Sequence, residues 1–313
     1  MNDCPAKIDP DEAEVGRPTP TTRRLVEASV SPNTRRAYAG ALRRLDAWLE
    51  GRELHDVTLA AYLAELHDAG RATSSASMAV AAACFPAKLA GQPAPAGERT
   101  ARVLAGYRRT ASDRGRGQAR PFGVSDLAAV LATCCRPRRR GRGVESDQVA
   151  LERGRLDAVI AGLLFMAGMR RSEVSALRWA NVADSTDGDG MLVTVRRSKT
   201  NQEGEVNDVR FVKDSVARAI RTLRAAMSPD PGDRVVPLSA QMVGLRFTAA
   251  SLAAGVESRV TAHSGRVGLA SELTSRGAST TDVMLAGNWK TSRMVAHYSA
   301  GATAERGAVA RYL

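Results

Sequence analysis

A short polar stretch in the first half of the chain separates two regions of apolar patterning, and it constrains the fold more than any other feature. Ala111 to Pro121 (ASDRGRGQARP) is polar, basic and glycine-containing, a composition typical of a linker between domains. A chain of 313 residues is long enough for a core on each side of it. The sequence therefore predicts a disordered tail over 1–20, a domain over 21–110, a linker over 111–121 and a second domain over 122–313.

The first domain carries helical patterning and no strand signal. Apolar residues recur three or four positions apart, as they do on one face of a helix. Four segments show this spacing: one with Tyr38, Leu42, Leu45 and Leu49, one with Leu59, Tyr62, Leu63 and Leu66, one with Met78, Ala82 and Phe85, and one with Val103, Leu104 and Tyr107. Four short helices predict a compact helical domain of about 90 residues.

The second domain is also mainly helical, with one interruption. Leu156 to Arg178 is predicted as one long helical segment. Met191 to Val195 and Val206 to Val212 alternate as strands do, and the polar stretch Asn201 to Gly204 between them predicts a hairpin. From Asp214 onward the pattern is helical again. The predicted fold class is therefore mainly α, with a helical N-terminal domain joined by a basic linker to a mostly helical domain that contains a small β-hairpin or sheet.

The charge of the chain predicts a polyanionic partner. The formal net charge is +12 and the isoelectric point is about 10.3. Aromatic residues make up only 4% of the chain, which disfavours stacking on single-stranded bases and favours duplex backbone. Arginine-rich composition also arises without any binding role, so individual arginines need positional arguments. The linker and a second basic run, Arg136 to Arg142, are each more typical of solvated loops, although a positive linker suits a protein that clamps a duplex.

The sequence predicts neither a metal site nor a disulfide. Its four cysteines, Cys4, Cys84, Cys134 and Cys135, lack the spacing of a zinc site and a secretory context. Met1 to Val15 lacks the basic-then-apolar layout of a signal peptide, and no apolar run approaches the roughly 18 residues that a membrane helix needs. A cytoplasmic location is expected.

Two sites place cations where they can bind an anion. Arg170 falls on a predicted apolar stripe with Glu173 one turn on, which fits either a structural buried ion pair or a functional cation. His263 and Arg266, in HSGR, are three positions apart and share one helix face, so both can address a single anion. Such tetrads also arise by chance.

Three further residues have chemistry that depends on their surroundings. Tyr298, in NWKTSRMVAHYSA, is either a nucleophile or an aromatic packed with Met294 and Val295. Trp289, nine residues earlier, either donates its indole N–H to an oxyanion or fills the core. Lys199 lies in the hairpin sequence RRSKT, and a lysine with a lowered pKa can release a proton, which arginine cannot do near neutral pH.

In chain order these residues resemble the catalytic signature of the tyrosine recombinase (phage integrase) family. GMRRSEV resembles its first arginine motif, RRSKT its lysine motif, HSGR its H-x-x-R box and GNWKTSRMVAHY its closing motif. The resemblance covers nearly all of residues 145–313. HSGRVGLA, Trp289 and the short tail after Tyr298 look like the Cre recombinase branch of the family. The N-terminal helical domain resembles the family's core-binding domain.

The resemblance implies a division of roles. Tyr298 attacks the scissile phosphate and forms a 3′-phosphotyrosyl link, while Lys199 protonates the departing 5′ oxygen. Arg170 and Arg266 hold the nonbridging oxygens and stabilise the charge that grows in the transition state.

Three other residues support that reaction. His263 and Trp289 contribute further hydrogen bonds to the phosphate, and Glu173 orients Arg170. His297, next to the tyrosine, is interpreted as structural. A second tyrosine near the end, Tyr312, has the wrong spacing from Trp289.

The resemblance also implies the partners. Double-stranded DNA is the substrate, and four active sites acting on two recombination sites require a homotetramer on DNA, formed from monomers in solution. No cofactor or metal is implied, and the expected location is the nucleoid within the cytoplasm. Seven arginines are candidates for DNA contacts: Arg35, Arg36, Arg43, Arg116, Arg120, Arg196 and Arg197. A type IB topoisomerase and a non-catalytic DNA-binding protein on the same fold are the alternatives.

Overall fold

The chain folds into two compact units, one ending at Gly117 and one beginning at Gln118. The computed structural model describes residues 19–115, 117–186, 188–196, 208–256 and 260–305. None of the helices within these ranges is long and apolar enough to span a bilayer.

The first unit consists of helices. They are α1 (Pro20–Ala28), α2 (Pro32–Leu49), α3 (Asp56–Asp68), α4 (Thr73–Leu89) and α5 (Glu98–Thr110). The four predicted helices are present, and α1 is an addition to them. Leu45, Leu59 and Leu63 are buried in the core of this unit. Asp56 joins the start of α3 to the start of α5. Its carboxylate accepts hydrogen bonds from the backbone N–H groups of Gly97 and Thr100, at 2.7 and 2.9 Å.

The second unit is mostly helical with two small antiparallel sheets. Its elements are α6 (Val124–Thr133), β1 (Arg139–Arg140), β2 (Gly143–Val144), α7 (Asp147–Phe165), α8 (Arg171–Ala176), β3 (Val182–Asp184), β4 (Met191–Val195), β5 (Asp208–Val212), α9 (Asp214–Met227), α10 (Ala240–Ala253), α11 (Ala262–Ser275), α12 (Thr280–Gly287), α13 (Ser292–Tyr298) and α14 (Ala300–Glu305). The sheet order is β3-β4-β5, and Leu192 pairs with Phe211 across the last two strands. The mainly α fold predicted from the sequence is confirmed, with β1, β2 and β3 as additional strands.

Helix α7 forms the centre of the second unit. It is buried without interruption from Asp157 to Phe165, and α6, α9, α10 and α11 pack around it. Phe122 joins it to α10, with ring centroids 5.9 Å from Phe165 and 4.8 Å from Phe247. The C-terminal end of α7 also lies against α11, the helix that carries His263, because an added Cβ at Gly265 would lie 2.5 Å from the carbonyl oxygen of Leu164.

The predicted continuous helix from Leu156 to Arg178 is wrong. Helix α7 ends at Phe165, and α8 begins only at Arg171. Gly168 between them has a φ of +53°, a left-handed conformation that side chains disfavour, and an added Cβ would lie 2.7 Å from Leu269. Arg170 is therefore the N-cap residue of α8 and does not belong to a helical stripe.

Candidate active site

A close approach between two backbones sets the position of α11. An added Cβ at Gly268 would lie 1.8 Å from the carbonyl oxygen of Phe122, so only glycine fits there. Phe122 also donates its backbone N–H to the carbonyl of Ser264 at 3.0 Å. These contacts hold the first turns of α11, with His263 and Arg266, against the backbone of Phe122.

Arg266 is a buried cation without a carboxylate partner. Its side chain is 2% exposed and donates to the carbonyl oxygens of Gly168 and, at 3.0 Å, Gly287. No Asp or Glu of the described residues forms a salt bridge with it. Burial and the charges of Arg170 and Arg210 lower the pKa of Arg266 to about 10, so it is still charged at neutral pH. Because a guanidinium has five N–H donors, it keeps donors for an anion.

Arg170 is held by a carboxylate on the next turn. Its Nη1 lies 2.6 Å from Oε1 of Glu173, and its backbone N–H donates to Oε2 at 2.8 Å. Glu173 is 4% exposed, whereas the Arg170 side chain is 20% exposed. The carboxylate therefore fixes the guanidinium from the buried side and leaves its other side open. The predicted role of Glu173 stays a prediction, and this geometry supports it.

Arg210 extends this charged network, and the sequence reasoning missed it. It is buried on β5, with Nη2 2.5 Å from Asp208 and 3.5 Å from Glu173, and it donates to the carbonyl oxygen of Ala167 at 2.8 Å. Burial alone raises the pKa of Asp208, but hydrogen bonding and charge from Arg210 outweigh it, so this pKa lies below its ordinary value. The strand β5 is thereby tied to the segment that carries Arg170.

Trp289 supplies an unpaired donor at the same place. It is 3% exposed, and its Nε1 has no hydrogen-bond partner among the described residues. Its ring centroid lies 4.8 Å from Cζ of Arg266 and 6.0 Å from that of Tyr298. A buried N–H without a partner costs free energy, which a bound acceptor would recover.

Tyr298 is the last residue of α13 and faces these groups. Its carbonyl oxygen accepts hydrogen bonds from Oγ of Ser271 at 3.0 Å and from Nε2 of Gln118 at 3.3 Å. The phenol ring is half-buried and meets His263 edge-on, with centroids 5.3 Å apart. The backbone of the tyrosine is thus fixed while its ring lies between His263 and Trp289.

His263 is poised to be neutral at physiological pH. Partial burial lowers its pKa, and the charges of Arg266, Arg170 and His297 lower it further. A neutral imidazole can accept a proton as well as donate a hydrogen bond. His297 lies with its ring centroid 5.6 Å from that of Tyr298, and its interpretation as structural stays a prediction.

Five of the six predicted catalytic residues therefore come together. We call the group Arg170, His263, Arg266, Trp289 and Tyr298 the anion site. The sixth, Lys199, lies outside the described residues, as do Arg116, Arg197 and Tyr312. Their predicted roles stay predictions.

The remaining candidates for DNA contacts are surface residues. Arg35, Arg36 and Arg43 are exposed on α2, and Arg196 is exposed just after β4. Arg120 is engaged in an ion pair with Asp126 at 3.0 Å. Their contacts with DNA are untested.

Two family models match the sequence, one within each unit. Residues 150–305 match the phage integrase family, and residues 23–85 match the phage integrase N-terminal SAM-like domain. None of the curated proteins matches the chain.

Solved structures with this fold include recombinases in complex with DNA. XerH site-specific recombinase bound to a palindromic difH substrate, a post-cleavage complex, has a TM-score of 0.64 at 13% identity and matches over 88% of this chain and 79% of that one. A lambda integrase (75–356) dimer bound to a COC′ core site has a TM-score of 0.61 at 14% identity. The match covers 88% of this chain and 92% of that one. The Tn1549 transposon integrase in complex with transposon right end DNA has a TM-score of 0.56 at 14% identity. The match covers 91% of this chain and 97% of that one. At these identities the likeness shows the fold.

Proposed function

The chain carries both domains of the phage integrase family, and from this premise we propose that it is a site-specific DNA recombinase that cuts and rejoins duplex DNA through Tyr298. The observation that carries the proposal is the anion site. It joins a buried arginine without a carboxylate partner and an indole N–H without an acceptor, within the described residues, and places both beside a tyrosine. A phosphodiester can accept hydrogen bonds from the arginine and the indole, and its phosphorus can react with the hydroxyl of the tyrosine.

The reaction is an exchange of one phosphodiester for another. The phenol oxygen of Tyr298 forms a bond to the scissile phosphorus, and the bond from phosphorus to the 5′ oxygen breaks. The phenol proton passes to His263, whose ring centroid lies 5.3 Å from that of Tyr298, and the departing oxygen takes a proton from Lys199. The products are a 3′-phosphotyrosyl link and a free 5′-hydroxyl. Rejoining reverses these steps and needs no energy source.

The cations act on the transition state. A phenol with a pKa near 10 is a poor nucleophile at neutral pH, so neighbouring positive charge is needed to activate it. Arg170 and Arg266 bind the two nonbridging oxygens, and Trp289 adds a further donor. Because these groups are fixed by buried contacts before DNA binds, little reorganisation accompanies the reaction.

Recombination between two duplex sites requires four cleavages. Each chain offers one Tyr298, so a tetramer assembled on DNA is part of the proposal, as is the solution monomer from which it forms. The similarity to the Cre recombinase branch, which depends on HSGRVGLA, Trp289 and the short tail after Tyr298, is also part of the proposal.

The test is covalent trapping. A nicked duplex that carries inverted repeats from the genetic neighbourhood loses a short fragment after cleavage, which leaves the protein attached to DNA. Wild type is expected to form the adduct, and Tyr298→Phe is expected to bind the same duplex without forming it. Tyr312→Phe is the matched control and should react as wild type does. An adduct that survives Tyr298→Phe would contradict the proposal.

The alternatives predict other outcomes. A type IB topoisomerase relaxes any supercoiled plasmid without exchange between sites. A non-catalytic DNA-binding protein binds the duplex and gives no adduct with any variant.

A further inference from the structure

The basic run Arg136 to Arg142 forms a defined hairpin that the phage integrase signature does not include. Strands β1 and β2 pair in register, Arg139 with Val144 and Arg140 with Gly143. The segment lies between the two stretches that match the family models, which end at residue 85 and begin again at residue 150. Residues 136–145 carry five arginines and one glutamate.

Arg153 on α7 anchors this hairpin from the buried side. Its Nε and Nη2 lie 2.9 Å from Oε2 of Glu145, the residue after β2. It also donates to the carbonyl oxygens of Arg136 at 2.7 Å and Cys134 at 2.8 Å. One side chain therefore holds both ends of the hairpin.

Asp157 completes the anchor with a fully buried carboxylate. It accepts from Arg153 and Arg138 at 3.1 Å each and from Arg246 of α10 at 2.7 Å. Because breaking such a buried network leaves charges without partners, the network holds the hairpin in one geometry.

The outer side of the hairpin carries unpaired charge. Arg136, Arg139 and Arg142 are exposed, and in the part of the chain that the structure describes their side chains have no acidic partner. The single glutamate of the segment is turned inward, with its side chain 2% exposed. Guanidiniums of one sign on an anchored backbone favour a polyanion with closely spaced charges.

The hairpin and the anion site lie at opposite ends of α7. An added Cβ at Gly265, beside Arg266, would lie 2.5 Å from the carbonyl oxygen of Leu164, so the C-terminal end of α7 adjoins the anion site. Arg153 precedes Leu164 by a helical rise of about 16 Å. Measured along the axis of a duplex, this length corresponds to about five phosphates of one strand.

We propose that the β1–β2 hairpin is an additional DNA-binding element, in which Arg136, Arg139 and Arg142 bind backbone phosphates several base pairs from the cleaved one. The inference rests on the proposed function, because duplex DNA is the polyanion which that function supplies. The element adds affinity without reading sequence, since phosphates are the same at every step.

The test compares affinity at several salt concentrations. Arg136→Gln/Arg139→Gln/Arg142→Gln removes three charges and leaves the buried anchor intact. On a random-sequence duplex of about 40 base pairs, three lost phosphate contacts should reduce the slope of log affinity against log salt by about 2 to 3 and weaken binding about 10-fold or more. The corresponding triple lysine variant keeps the charge and should retain most of the slope. Arg218→Gln, at an exposed arginine of α9, is the control for net charge.

Two outcomes overturn the inference. Either the triple glutamine variant has the wild-type slope, or its loss per removed charge equals that of Arg218→Gln. The covalent trapping assay separates this failure from that of the proposed function. If wild type forms the Tyr298-dependent adduct and the triple variant binds as wild type does, only the hairpin inference is wrong; if wild type forms no adduct, the proposed function is wrong.

Discussion

A buried ion pair joins Arg210 to Glu173, with Nη2 of the guanidinium 3.5 Å from Oε2 of the carboxylate. The other oxygen of Glu173 binds Arg170 at 2.6 Å. Arg210 also binds Asp208, which precedes it on β5. The strand β5, which follows the segment with Lys199, is thus connected through Glu173 to Arg170.

Arg210→Lys is expected to impair cleavage more than binding. Lysine keeps the charge but lacks the fork that reaches Asp208, Glu173 and the carbonyl of Ala167 together. If Arg170 is displaced by about 1 Å, the single-turnover rate of adduct formation should fall about 100-fold, with little change in DNA affinity. Arg221→Lys, which alters a surface ion pair with Asp184, is the matched control. A parallel loss of binding and thermal stability would instead indicate a purely structural role for Arg210.

Arg210 shows why sequence patterning was insufficient at this position. Alternation in β5 suggests that Val209 and Phe211 face the core, but these two are about half exposed and Arg210 is buried. The inversion occurs because Arg210 finds carboxylates and a carbonyl inside, which compensate for its desolvation. Glu173 and the carbonyl of Ala167 are distant in sequence, so the spacing of β5 does not reveal them.

The motif residues lie together in the structure, although part of the local structure around them was predicted wrongly. His263, Arg266, Trp289 and Tyr298 were predicted because their side-chain types occur in a distinctive order, which does not depend on exact helix boundaries. The break at Gly168 was missed because apolar spacing continues across it. The positive φ of Gly168 and the close approach of Leu269 are features of the folded structure that this spacing does not show.

Trp289→Phe tests the unpaired indole N–H. Phenylalanine keeps an aromatic ring beside Arg266 and Tyr298 but removes the donor. Loss of one donor to a developing oxyanion should slow adduct formation by about 100-fold. The matched control is Trp179→Phe, because the Nε1 of Trp179 is also buried without a partner among the described residues, while its ring lies against Arg224. Equal effects of the two changes would show that the loss comes from packing.

The pH dependence of cleavage should reflect His263. Burial and the neighbouring arginines lower its pKa below the ordinary 6.5, so the neutral form persists below that pH. Because the pKa of His263 is lower in the folded protein, the folded state binds fewer protons than the unfolded state. The contribution of His263 to the free energy of unfolding is therefore fully present above pH 6.5 and declines as the pH falls. The acid limb of the rate of adduct formation should therefore lie below pH 6.5.

Two variants identify the histidine whose titration produces the acid limb. His263→Asn should lower the rate and abolish the limb, while His297→Asn should keep a limb, because His297 only neighbours the site. A wild-type limb at or above pH 6.5 would contradict the environment that the structure gives His263.

Arg153→Met should destabilise the second unit by about 3 kcal/mol, because Glu145 and Asp157 lose a buried partner. Urea unfolding of the full chain, followed by tryptophan fluorescence, measures this change. The control is Arg276→Met, which breaks a more exposed pair with Glu272 and should cost less than about 1 kcal/mol. Similar costs for the two changes would mean that the hairpin is not firmly anchored.

Lys199→Ala should slow cleavage of an ordinary substrate and spare one with a 5′-thio leaving group. Departure of a 5′ oxygen needs a proton, whereas a thiolate is stable enough to leave without one. Arginine at position 199 keeps the charge but cannot release a proton near neutral pH, so Lys199→Arg should show the same selectivity. The measurement is the ratio of adduct formation rates on the two substrates for each variant. If the thio substrate fails to restore cleavage by both variants, Lys199 acts by binding the phosphate, and the proton comes from another group.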